Sequence, residues 1–219
     1  MKRDVLSGTV LIVGALASMV VMTFHPTGHT PITRENFPSQ ALLNVTVHSL
    51  ALVAVPTLFL GLLGLARRLG PSDVTAAALV AYGFGAVAVM SAAVASGLVV
   101  TAVIDQIFTG PVEARAVNQV LLTYTHLVNQ GFAKVNLVAS SVAVLLFSAG
   151  IWRSGRLARA AAVAGAVIGT GLLLAFFFGG LRLDAHGFGI VTFAQSLWLI
   201  WLGVLLCRDD EPAALPGRP

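Results

Sequence analysis

VTAAALVAYGFGAVAVMSAAVASGLVVTAVI, residues 74–104, carries no charged side chain and no histidine between Asp73 and Asp105. At 1.5 Å per residue a helix of this length extends about 46 Å, against a hydrocarbon core of about 30 Å. A run of this kind spans a membrane. The rest of the chain agrees with it. Charged residues make up 10% of the 219 residues and apolar residues 57%, with mean hydropathy +0.91. An average soluble domain holds about 25% charged residues.

Working outward from this run gives six spans, at about 5–24, 41–66, 74–104, 114–152, 157–181 and 188–207. The fold class is therefore an all-α integral membrane protein, a six-transmembrane-helix bundle occupying residues 1–208. Residues 209–219 are expected to form a short disordered cytoplasmic tail. Pro26, Pro38, Pro71 and Pro111 are placed in the connections, where a missing N–H does least harm. Pro56 falls inside the second span. The third and fourth spans are long enough to project beyond the bilayer as a helical hairpin.

Lysine and arginine set the orientation. With the N-terminus inside, Lys2, Arg3, Arg67, Arg68, Arg153, Arg156, Arg159, Arg208 and Arg218 are cytoplasmic, and Arg34, Arg115 and Arg182 are outside. Nine against three places both termini in the cytoplasm, and the alanine and arginine usage of the chain gives the inner (plasma) membrane as the expected location. Ala15-Leu16-Ala17 resembles a signal-peptide cleavage site, but the apolar run continues to Phe24, so an uncleaved first helix is expected. The single cysteine, Cys207, excludes an intrachain disulfide. No basic run is interleaved with aromatics, which argues against nucleic-acid binding.

In this topology all five histidines fall toward the outer side. Counted from the cytoplasmic arginines, His25, His48 and His186 lie about 33, 28 and 33 Å up the bundle, and His126 about 40 Å. His25, His48 and His186 thus form the expected trio, with His126 a conditional fourth. His29 follows directly after a turn that Pro26 and Gly28 are suited to form. Polar residues gather on the same side. Gln40, Asn44 and His48 make one helical stripe, and His126, Gln130 and Lys134 another. Asn129 lies near the second stripe, and Thr101 and Asp105 stack in the third span. Polar groups inside a membrane are costly unless they pair or line a cavity, so these stripes should face one another around an outward-open pocket. Glu35, Asp105, Glu113 and Asp184 are the carboxylates on that side. Asp184 is placed to orient His186.

Imidazoles grouped in this way suit copper or zinc, with His25, His29, His48, His126 and His186 as candidate ligands. A single b-type haem, held by His48 with His186 or His126, is the alternative electron-transfer reading. A cofactor-free transporter of small solutes or lipids, resting on Lys134, Asn129 and Gln130, is another. So is a structural subunit with a membrane-protein partner or a second copy of itself. Each histidine also has a plainer role as an interfacial ring among lipid headgroups. No H-E-x-x-H, H-x-x-E-H or C-x-x-C motif is present, and no catalytic residue or reaction is assigned.

Overall fold

The computed structural model describes residues 3–26 and 31–208. The expected tail at 209–219, His29 and most of the turn that carries it lie outside the described residues. Among the described residues, seven α-helices form six long rods: α1 (Arg3–Thr23), α2 (Phe37–Leu69), α3 (Asp73–Ala93), α4 (Val100–Thr109), α5 (Arg115–Ser154), α6 (Arg159–Phe177) and α7 (Ala185–Cys207). A π-helical turn, Val94–Val99, joins α3 to α4 into one continuous span. A 3₁₀ turn at Val112–Ala114 leads into α5. There is no strand among the described residues. All six rods are long and apolar enough to cross a membrane.

The rods stand in a ring. α1 packs on α2 and α7, α2 on α3, α3 on α5, α5 on α6, and α6 more lightly on α7. The first and last helices are therefore neighbours, and the described ends of the chain share one face of the bundle.

Residue chemistry accounts for the breaks between rods. Ser72 caps α3 by accepting from the Thr75 N–H. Gly70 ends α2 with φ +90° and Gly155 ends α5 with φ +60°, conformations open to glycine at no steric cost. Two expected boundaries move. Pro38 is not in a connection. It lies in the first turn of α2, where its missing N–H has no intrahelical partner to lose. The fifth span ends at Phe177, short of the expected 181, and Gly180 reverses the chain with φ +67°.

The main core lies toward the termini. Leu11, Leu58, Leu62, Leu65, Phe147, Ile151, Trp198 and Leu202 form one buried cluster there. Glycines bring its helices close. A Cβ on Gly8 would come within 2.5 Å of the Gly203 carbonyl oxygen, and one on Gly61 within 2.9 Å of the Leu11 backbone. Small residues at helix crossings are the usual means of association in a membrane, where lipid removes the hydrophobic drive between helices. Trp198 is 2% exposed and donates from Nε1 to the Ala161 carbonyl at 2.8 Å.

Candidate functional site

Away from the termini, the bundle is hollow. A cavity of about 390 Å³ lies between the end of α1, the N-terminal half of α2, α4 and the N-terminal half of α5. His25, Gln40, Asn44, His48, His126 and Asn129 all line it, together with Ser96, Thr101 and Thr125. Ile32, Phe37, Val100, Ile104 and Leu122 supply much of the hydrocarbon wall.

His48 is the buried centre of the polar side, 3% exposed. Its Nδ1 lies 2.8 Å from the Asn44 carbonyl oxygen, one turn back along α2. A carbonyl only accepts, so Nδ1 carries the proton and Nε2 keeps its lone pair. Nε2 faces Ser96 Oγ at 2.8 Å, and the same hydroxyl lies 2.8 Å from the Ala92 carbonyl oxygen. One hydroxyl proton thus has two acceptors.

The π turn makes this approach feasible. A Cβ at Gly97 would lie 2.3 Å from the Cβ of His48 and 2.4 Å from its Cγ, so glycine is required where α2 meets the turn. A π turn shifts hydrogen bonding to the fifth residue and leaves carbonyl capacity without an α-helical partner. Asn44 fills it. Its Nδ2 donates to the carbonyls of Ser96 at 2.9 Å and Gly97 at 3.3 Å, and to Thr101 Oγ1 at 2.9 Å. Sequence reasoning placed Asn44 and Thr101 on this side of the membrane. It did not single out Ser96 or Gly97 as site residues. The Ser96-Gly97 pair within an apolar run is the faint signal that marks them.

His25 meets His48 ring to ring, with centroids 4.9 Å apart and planes at 61°. Its Nδ1 lies 3.0 Å from the Pro26 carbonyl oxygen and carries the proton for the same reason. Burial holds the His25 imidazole below its ordinary pKa, and the bond to Pro26 works in the opposite sense. Residues 31–36, which lead into α2, are tied down over this end of the cavity. Asn36 folds them by donating to the Pro31 carbonyl and accepting from the Thr33 N–H. Arg34 donates to the Phe108 carbonyl at the end of α4, and the Phe37 and Phe108 rings lie 5.4 Å apart.

His126 lines the cavity from an exposed position on α5, which puts it at the mouth. His186 does not line it. It is exposed in the first turn of α7, which packs on α1 and α6. Among the described histidines, His25, His48 and His126 share a cavity, in place of the trio that included His186. Helical rise gives depth in the membrane but not direction around the bundle. Asp184 caps α7, its Oδ1 accepting from the Gly187 N–H at 2.9 Å. That bond is the main cause holding its carboxyl below the usual range. Gln130 donates to the Leu183 carbonyl at 3.2 Å, on the side of α5 nearer α6 and α7. Lys134, Asp105 and Glu35 are exposed and do not line the cavity. Among the described residues, no group of three or more His, Cys, Asp or Glu side chains is gathered closely enough to hold a metal ion.

A second, smaller cavity of about 90 Å³ lies on the bundle axis. Five spans contribute to it, through residues such as Ser18, Ala51, Tyr82, Asn136 and Gln195. Asn136 donates to the Gly85 carbonyl at 3.0 Å, and Gln195 to Ser140 Oγ at 3.0 Å. On α5 it lies seven residues below the first cavity, from Asn129 to Asn136, or about 10.5 Å along the axis. Leu58 and Leu199 line it and also belong to the main core, which closes the bundle beyond.

Compared with protein-family models, with curated proteins and with solved structures, the chain matches none of them. Six apolar helices describe a multi-pass membrane protein.

Proposed function

We propose that this is an inner-membrane protein, with both termini cytoplasmic, that binds a small uncharged amphipathic molecule from the outer side. The arginine and lysine distribution supports the orientation. The cavity lining supports the ligand class. Three imidazoles, amides and hydroxyls face a largely hydrocarbon space, and no carboxylate, lysine or arginine is among the described lining residues. A divalent ion placed there would bring charge into a poorly solvated site without a counter-ion, at high cost. An uncharged molecule needs only hydrogen bonds at one end and apolar contact along its body, the usual make-up of a small-molecule site. His25 Nε2 has no hydrogen-bond partner among the described residues and is the natural donor's target. Because the main core closes the termini half, the cavity serves binding from one side.

One observation favours a second reading, monovalent copper. Both His25 and His48 hold Nδ1 against a backbone carbonyl, as metal-ligating histidines commonly do, which leaves Nε2 to an ion at His25, and at His48 once the Ser96 hydroxyl turns to the Ala92 carbonyl.

One purified sample distinguishes the two. The protein is isolated in mild detergent, and its organic extract and metal content are measured by mass spectrometry. A stoichiometric organic molecule, absent from the cavity-filling variant Ala41→Phe, is the expected result. Stoichiometric copper with no organic molecule would replace the first reading by the second. Neither, from protein that retains its fold, would remove both.

A further inference from the structure

At the opposite end of the bundle, Arg67, Arg68 and Arg156 surround an open recess of about 490 Å³ whose only other lining residue among those described is Asp4. We infer that this recess binds a phosphate group, carried by an anionic phospholipid or free in solution.

The recess is held together across three parts of the chain. Arg68 pairs with Asp4 of α1 through a 3.1 Å ion pair. Arg156, from the connection between α5 and α6, donates from Nη1 to the Arg68 carbonyl at 3.1 Å. That bond lies over Gly70, where even a Cβ would come within 3.0 Å of Nη1. The α2 C-terminus is thus shaped to receive the guanidinium. A guanidinium has five N–H donors, so Arg156 keeps most of its own after this bond. Arg67 and Arg156 face no carboxylate within ion-pair distance among the described residues.

Among the described residues, three guanidiniums against one carboxylate leave an excess of positive charge in one recess. Arginine presents planar, paired donors that match phosphate oxygens. Its position at the ends of membrane spans is where phospholipid headgroups lie, and basic recesses between spans are known headgroup sites. Arg159 is differently engaged. Its guanidinium lies 5.3 Å from the centroid of the Trp152 ring.

The test uses the full chain in neutral detergent, by native mass spectrometry. Phosphatidylglycerol, phosphatidylcholine with the same acyl chains, and inorganic phosphate are added in turn. Phosphatidylglycerol should be retained in preference to phosphatidylcholine. Its occupancy should fall roughly tenfold or more in the Arg67→Gln, Arg156→Gln double variant. Arg67→Gln alone, which removes no described hydrogen bond, should give part of that loss without a change in thermal stability. Arg153→Gln, which removes a charge outside the recess, should leave retention unchanged. Displacement of phosphatidylglycerol by inorganic phosphate at comparable concentration would assign the site to the free ion, and failure to displace it to the lipid. Equal retention of the two lipids overturns the proposal. So does full retention by the double variant, or a loss in Arg153→Gln as large as in Arg67→Gln.

Discussion

Trp198 and His48 are both almost wholly buried, and both donate to a backbone carbonyl, yet their surroundings differ. Around Trp198 the bundle is filled. Gly165 brings α6 so close that a Cβ there would lie 2.7 Å from the indole and 2.2 Å from Ser148 Oγ. Around His48 one side is equally tight, against Gly97, and the other opens into the cavity. The termini half holds its helices together by close contact. The other half holds them at fixed separations with hydrogen bonds from Asn44 to the π turn and Thr101, and from the Ser96 hydroxyl to His48 Nε2. The difference shows how one ring of helices can combine a closed half and an open one.

The comparison can be broken most severely at Trp198. Trp198→Ala removes the largest fully buried side chain and leaves the Ala161 carbonyl without its donor. It should cost about 3–5 kcal/mol in detergent unfolding. A cost below about 1 kcal/mol would show that the closed half is not the stabilising one. Gly97→Ala comes next. It forces α2 off the π turn and should cost about 1–3 kcal/mol, typical of overpacking. It should also alter the cavity, read as changed content of any co-purified molecule. If unfolding and content both match the parent, the tight approach of His48 to Gly97 is not essential.

A smaller effect depends on pH. Burial lowers the His25 pKa in the folded protein, so the unfolded chain binds the proton first as pH falls below about 6.5. Stability contributed by neutral His25 is present above that pH and is lost as pH falls through the lowered folded value. The new charge would face the His48 ring directly and share the cavity with His126. Unfolding measured from pH 7.5 to 5 should show this loss, and His25→Gln should reduce it. An identical profile in the variant would assign the loss to other groups. The smallest change is a gain. Gly131 lies in mid-α5 with nothing within 4 Å of an added Cβ. Gly131→Ala should stabilise by about 0.5–1 kcal/mol.

Much of the fold is legible in the sequence because each span is a charge-poor run bounded by arginine, proline or glycine. Pro38 misleads because proline marks the first turn of a helix as readily as a loop. The site is legible in part. Helical rise puts His25 and His48 at similar depth, and the stripe from Gln40 to His48 does face a cavity. The exchange of His186 for His126 was beyond such counting, since the order of helices around the ring comes from interhelical contacts. The π turn was equally hidden. Nothing in Val94–Val99 demands it locally, and its carbonyls are satisfied by an asparagine 52 and 53 residues away in sequence. Lys134 and Asp105 attracted attention as charges within long apolar segments, but both stand exposed on the outside of the bundle.

The seating of α1 between α2 and α7 has a consequence for biogenesis. Spans leave the insertion machinery in chain order, so α1 meets α2 early and α7 last. Until then, the face of α1 around Gly8 that will receive Gly203 and Cys207 is left to lipid. The ring cannot shut before α7 has been made. A chain stopped after α6 therefore leaves a docking groove exposed along its first helix, a mark by which membrane quality control could distinguish an incomplete bundle from a finished one.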